Sequence, residues 1–253
     1  MLAIERLREI EKKIRRDGSA RVAELARELA VTEETIRRDL EKLETDRKIV
    51  RSHGGAIALS SGGQEIPYVE RELRQAAEKA AIAREAIKRV EEGDTLFIDA
   101  STTALELAKL IPDMPLTVLT NAIKVAVELA RAPRIRVICT GGALAAPSLS
   151  FYGPAAERVM EEFHVGKLFL SCKGVDLRRG LSDANELLAQ FKHLAMERSS
   201  WRCALVDHTK FGVNGFAVFG KLSDFNEVIT NNEAGPEAIN ALKLGGVETV
   251  TAV

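Results

Sequence analysis

Residues 32–43 read Thr32-Glu33-Glu34-Thr35-Ile36-Arg37-Arg38-Asp39-Leu40-Glu41-Lys42-Leu43. Ile36, Leu40 and Leu43 follow one another at steps of four and three, the spacing of one face of an α-helix. Thr32 stands where an N-cap accepts from the first unpaired backbone N–H groups. Glu33 and Glu34 suit the positive end of the helix dipole. With Ile36 set at zero and ~100° per residue, Leu40 and Leu43 cluster beside it. Glu34, Arg38, Glu41 and Thr45 then take the opposite face, flanked by Thr35, Arg37 and Lys42. Asp39 falls toward the buried side, where it is better placed to orient an arginine than to face an anion.

Upstream, Ile4, Leu7, Ile10 and Ile14 mark a first amphipathic helix that stops at Asp17-Gly18. Val22, Leu25, Ala26 and Leu29 mark a second, ending at Ala30-Val31. A supporting helix followed by two helices across a turn of about three residues makes a helix-turn-helix, here over about 20–39. Downstream, Lys48 to Ile57 places short β-prone stretches around Gly54-Gly55, which predicts a two-stranded wing over about 48–58. An Arg-Arg pair alone on a helix is ordinarily a solvated face. The supporting helix, tight turn, capped helix and basic wing together point to double-stranded DNA. Early positions of a recognition helix reach base edges, and arginine grips guanine O6 and N7 with two hydrogen bonds. The candidate DNA-binding residues are Thr32, Glu34, Thr35, Arg37 and Arg38, with Arg51 and His53 from the wing.

The chain has 253 residues, 46% hydrophobic and 29% charged, enough for a substantial core and more than one domain. Its net charge of −1 hides a weak asymmetry: residues 1–58 hold 14 basic and 12 acidic groups, the remainder 22 and 25. So small a difference does not by itself argue for nucleic acid. No apolar run approaches the roughly 18–20 residues of a membrane span, and the charged N-terminus is unlike a secretory signal. A cytoplasmic protein without membrane contact is expected. Cys139, Cys172 and Cys203 are isolated, as buried thiols in a reducing compartment would be.

Leu59 to Gln64 is rich in serine and glycine and reads as a linker, continued by residues 66–74. From about Gln75 the pattern changes to a helix (76–90) and then apolar strands alternating with amphipathic helices. The strands fall at 95–99, 116–120, 135–140, 167–172 and 203–207, with weaker ones at 228–230 and 247–250. Alternation of this kind predicts a mainly parallel sheet covered on both faces. The expected organisation is a winged helix-turn-helix domain over 1–58, a linker over 59–74, and an effector-binding and oligomerisation domain over 75–253.

Ligands of open α/β sheets bind beyond the carboxyl ends of the strands. Those ends here carry Asp99-Ala100-Ser101-Thr102-Thr103, Thr120-Asn121, Gly141-Gly142, Lys173-Gly174 and Asp207-His208-Thr209-Lys210. Ser101, Thr102 and Thr103 offer hydroxyls and N–H donors at a helix N-terminus, which favours an anion. Lys173 and Lys210 add positive charge, and Gly141 and Gly142 allow close backbone approach. Asp99, Asn121, Glu186 and Asp207 are chemically able to pair with sugar hydroxyls, and Thr120 completes the candidate effector site. No Walker A or GxGxxG motif follows a strand, which disfavours a nucleotide. No catalytic residue, metal or cofactor is expected.

Arg6, Ile10, Ile14, Thr32, the run Thr35 to Leu40, and Arg51-Ser52-His53-Gly54-Gly55-Ala56 resemble the signature of the DeoR family of bacterial repressors. The resemblance continues through Phe97 to Thr103, Leu119 to Asn121, Gly141 to Leu144, Lys173 to Asp176, Gly180 to Ser182 and Asp207 to Gly212. It departs at His193, where the family pattern leads us to expect a second basic residue after Lys192. The resemblance implies a sensor domain similar in fold to ribose-5-phosphate isomerase that takes sugar phosphates or related metabolites. It implies a repressor of a carbohydrate operon, released from its operator by a phosphorylated sugar. A dimer or tetramer is expected, because two recognition helices read two half-sites. The alternative is a sugar-phosphate isomerase or deaminase carrying an extra DNA-binding domain. Asp99, Glu186, Asp207 and Lys173 are chemically able to move protons, but no carboxylate pair has a diagnostic spacing.

Overall fold

A computed structural model describes residues 3–17, 19–46, 48–52, 55–58 and 66–252. The chain divides into two compact units, Met1–Gly62 and Gly63–Val253.

The first unit contains α1 (Ala3–Asp17), β1 (Ser19–Arg21), α2 (Val22–Glu28), α3 (Glu33–Thr45), β2 (Ile49–Ser52) and β3 (Gly55–Ala58). The apolar stripes converge: Ile10 and Ile14 from α1, Leu25 from α2, and Ile36, Leu40 and Leu43 from α3 form one core with Ile49 and Ala56. After α2 the chain turns through Ala30 in the left-handed region at φ 51. The Val31 N–H donates to Ala26 O at 3.1 Å. Thr32 caps α3, its hydroxyl oxygen accepting from the Thr35 N–H at 3.3 Å. The sheet has three strands in the order β1-β3-β2, one more than the two-stranded wing expected from sequence. The addition is β1, antiparallel to β3 with Ala20 opposite Ala56. Gly55 makes that pairing possible, since a Cβ there would lie 2.3 Å from Ala20 O.

The second unit runs α4 (Tyr68–Leu73), α5 (Ala76–Ala86), β4 (Thr95–Ile98), α6 (Thr102–Leu110), β5 (Leu116–Thr120), α7 (Ile123–Leu129) and β6 (Ile135–Cys139). There follow β7 (Ala143–Ala145), β8 (Ser150–Tyr152), α8 (Pro154–Glu162), β9 (Val165–Leu170), β10 (Gly174–Asp176), β11 (Gly180–Asp183) and α9 (Glu186–Glu197). Last come β12 (Ser199–Leu205), β13 (Ala217–Gly220), β14 (Glu227–Asn231), α10 (Gly235–Leu244) and β15 (Glu248–Ala252). Residues 66–74 are therefore not a plain continuation of the linker. They contain α4, and Tyr68 is buried in the core.

Seven strands form a parallel sheet in the order β15-β14-β12-β9-β4-β5-β6. Side chains alternate between its faces. Leu96, Ile98, Val118, Phe169 and Leu205 pack with Ile82, Leu107 and Val125 from α5, α6 and α7. Phe97, Leu119, Leu168, Leu170 and Ala204 pack with Met160, Phe191 and Leu242 from α8, α9 and α10. Burial on both faces accounts for the nearly unbroken apolar runs of the central strands. From β4 the chain steps outward to β5 and β6, then returns to place β9 on the other side of β4 and steps outward again. The connections reverse between β4 and β9, which is where open sheets of this type leave a crevice at their carboxyl ends. None of the described helices is long and apolar enough to cross a membrane.

Candidate functional site

A cavity of about 330 Å³ opens at that reversal. Seven residues expected from the strand ends line it: Asp99, Ser101, Thr102, Asn121, Lys173, Asp207 and Lys210. Asp99 leaves the end of β4 and is held by two backbone N–H groups, from Ser101 at 3.0 Å and Ser171 at 3.3 Å. Ser101 caps α6, its hydroxyl oxygen accepting from the Ala104 N–H at 3.1 Å. Lys210 donates to the Ser171 hydroxyl at 2.7 Å and lies 3.5 Å from Asp207. Asn121 donates to Phe151 O at 3.2 Å, while its buried Oδ1 has no partner among the described residues.

Five charged residues of the lining were not anticipated: Arg71, Arg74, Lys79, Asp183 and Lys192. Lys192 projects from α9 to meet Asp183 at 2.5 Å, Ser171 O at 2.7 Å and Asp99 at 3.2 Å. Burial opposes the charge of Lys192, but Asp183 and Asp99 outweigh it and raise its pKa above the ordinary lysine value. Burial likewise opposes ionisation of Asp183 and Asp207, yet Lys192 and Lys210 hold them below the usual carboxylate range. Lys79 and Lys173 shift the other way. Lys79 is lowered to about 8, by burial and then by Lys210. Lys173 is lowered by burial and then by Arg71, Arg74 and Lys210. The Lys173 ammonium has no hydrogen-bond or ion-pair partner among the described residues.

Five other expected residues do not border the cavity. Thr103 is fully buried inside the first turn of α6. Thr120 is committed to the sheet, donating to Ile98 O at 2.6 Å and accepting from the Ala122 N–H at 3.0 Å. Gly141 and Gly142 both have positive φ. A Cβ on Gly142 would lie 2.7 Å from Tyr152 O, so its small size serves the packing against β8 rather than a ligand. Glu186 opens α9 and borders a separate groove with Leu144, Pro147 and Leu187.

On the first unit, α3 presents Arg37 and Arg38 to solvent, their side chains 52% and 78% exposed. Glu34 is also exposed, Thr35 is half-buried, and the hydroxyls of Thr32 and Thr35 are 2.9 Å apart. Arg37 pairs with Glu33 at 2.7 Å and Arg38 with Glu34 at 3.5 Å. Asp39 turns inward and accepts from Arg6 Nε at 2.5 Å and Nη2 at 3.2 Å, which joins α3 to α1. His53 and the Arg51 side chain lie outside the described residues.

Residues 6–62 match the family model described as a DeoR-like helix-turn-helix domain, and residues 74–232 match the DeoR C terminal sensor domain. The HTH-type transcriptional regulator YulB of Bacillus subtilis is 47% identical over 253 residues, covering 100% of this chain and 98% of its own. The L-fucose operon activator of Escherichia coli is 34% identical over 209 residues, covering 82% and 86%. The lactose phosphotransferase system repressor of Staphylococcus aureus is 34% identical over 233 residues, covering 90% and 92%. Among solved structures, ribose 5-phosphate isomerase A of Methanocaldococcus jannaschii aligns at 14% identity and a TM-score of 0.39 over 53% of each chain.

Proposed function

Because the chain belongs to the DeoR family of transcriptional regulators, we propose that it represses a carbohydrate operon until a phosphorylated sugar enters the cavity between β4 and β9. The observation that carries the ligand class is the charge of that cavity. Among the described residues that line it, six are basic (Arg71, Arg74, Lys79, Lys173, Lys192 and Lys210) and three acidic (Asp99, Asp183 and Asp207), with Arg74 also paired to Glu70. Like charges gathered out of water disfavour one another. A phosphate monoester, with about −1.5 to −2 charges at pH 7, offsets the surplus. The first turn of α6 supports the same reading, because its free N–H groups favour an anion. Two relatives carry sugar systems in their names, L-fucose and lactose, which supports a sugar as the remainder of the ligand.

Operator DNA is held, in this reading, by Thr32, Glu34, Thr35, Arg37 and Arg38 of α3 and by Arg51 and His53 of the wing. Two copies in a dimer or tetramer address two half-sites. Binding favours release only if the ligand prefers the DNA-free arrangement, since tight binding to both states shifts nothing. The cavity carboxylates support holding over turnover, because each is already engaged. Asp99 accepts from two backbone N–H groups, Asp183 from Lys192, and Asp207 from the Thr209 N–H at 3.1 Å.

A thermal-shift screen of phosphorylated sugars on the full chain, with hits carried into operator gel shifts, tests the proposal. A ligand specific to the native state adds about 2.7 kcal/mol at a hundred times its dissociation constant. The expected hit is stabilising only when phosphorylated, and it releases the operator. Failure of every phosphorylated sugar to stabilise the protein removes the ligand assignment. A hit that tightens operator binding reverses the regulatory sense, and conversion of a hit to an isomer replaces the sensor with an enzyme.

A further inference from the structure

Residues 66–75 contribute Ile66, Arg71, Arg74 and Gln75 to the cavity wall. In sequence they follow the stretch that leads from the DNA-binding unit. Their one helix, α4, has six residues, too few to be stable in water unaided, so its order depends on ties to the rest of the unit. At its N-terminal end Tyr68 is buried, and its N–H donates to Pro147 O at 2.8 Å. At its C-terminal end Lys79 of α5 donates to the carbonyl oxygens of Arg71 and Arg74. Between the two helices Gln75 sits in the left-handed region at φ 50, which a non-glycine residue rarely adopts. Val69 and Leu73 are exposed. An ammonium has three donors; two of those on Lys79 go to the backbone of this segment, and Lys79 also lines the cavity.

We propose that residues 66–75 form a strap that tightens on a bound anion, with Lys79 as the positioning residue that bridges the anion and the backbone of the strap. The inference rests on the anion-binding reading of the cavity given above. An anion draws Arg71 and Arg74 from the side of the strap and Lys79 from the side of α5. Lys79 faces Arg71 from α4, Lys210 and Asp207 from the segment after β12, and Glu106 from α6. Burial and Lys210 lower its pKa to about 8, so above that pH its bonds to the strap lose their charge assistance. A neighbouring anion raises the pKa again. Above pH 8 the bound state therefore holds more protons than the free state, so binding takes up protons and affinity falls as pH rises. The same proton strengthens both bonds to the strap, and ligand occupancy is carried to the segment that continues toward the DNA-binding unit.

Hydrogen–deuterium exchange on the full chain with inorganic phosphate as the probe tests this. Phosphate is expected to slow exchange of residues 66–75 by about tenfold, together with the first turn of α6. In Lys79→Met the first turn of α6 is still protected, but 66–75 no longer respond. Lys79→Arg, which keeps charge and donors, restores the response of 66–75. Calorimetry of the unmutated chain in two buffers above pH 8 is expected to show proton uptake, reduced in Lys79→Arg. Protection at α6 with 66–75 unchanged or faster in the unmutated chain overturns the strap and leaves the anion site standing, as does binding without proton uptake. If neither segment responds to phosphate, the anion site fails and the strap fails with it.

Discussion

Arg37 and Arg38 reach solvent from the same turn of α3, and each meets a glutamate one turn earlier. Exposed pairs of this kind contribute about 0–1 kcal/mol, so exchanging Glu33 and Glu34 for DNA is inexpensive. Arg38 is the more exposed and lies on the face opposite Ile36. Arg38→Ala is expected to weaken operator binding by about 1–3 kcal/mol if the side chain reads a base, with ligand-induced stabilisation unchanged. Fluorescence anisotropy against the operator and a scrambled duplex checks both terms; equal affinity for wild type and variant would reject the orientation of α3. Asp39 shows how far a helical wheel reaches: its inward placement was legible, and Arg6 proves to be its partner. The cavity was legible where chemistry sits at strand ends, as with Asp99, Lys173 and Lys210. Lys192 was not, because a lysine within a helix reads as a solvated charge until tertiary packing buries it against Asp183.

Short elements escape a reading based on periodicity. The strand β1 has three residues, and α4 makes fewer than two turns, so neither repeats often enough to show a face. The small sheet β10-β11-β13 is invisible for the same reason. The long central strands and the helices α3, α6 and α9 were legible because burial on one or both faces imposes a pattern over several residues. The pairing of β1 with β3 still left one trace in the sequence, the glycine at 55. Gly55→Ala places a methyl group where Ala20 O already stands 2.3 Å away, so β1 must move off β3. The expected cost is about 1–3 kcal/mol to the first unit, as for other overpacked sites. Urea unfolding followed on the helices of that unit measures it, and an unchanged midpoint would show that the three-stranded sheet is not maintained in solution.

The two units have separate apolar cores: Ile10, Ile36 and Leu40 belong to one, and the clusters on either face of the parallel sheet to the other. Separate cores permit separate unfolding, and a buried ion pair in the second unit gives a way to test it. Arg89, just after α5, donates through two nitrogens to Glu227 at the start of β14, and the Glu227 side chain is 4% exposed. Removing one partner of a buried pair strands the other, at a cost of about 3–5 kcal/mol when both are enclosed. Arg89 keeps 23% exposure and a second partner in Glu85 at 2.7 Å, which reduces the expected cost of Glu227→Gln to about 2 kcal/mol. A domain of this size loses about 2–4 °C per kcal/mol, so the transition of the second unit should fall by several degrees. If the first unit unfolds on its own, its transition stays where it was and operator affinity measured below both transitions is unchanged. Should both transitions fall together in differential scanning calorimetry, the units unfold as one cooperative body. The strap could then not be the sole route by which an occupied cavity reaches DNA, because the two cores would already report on each other.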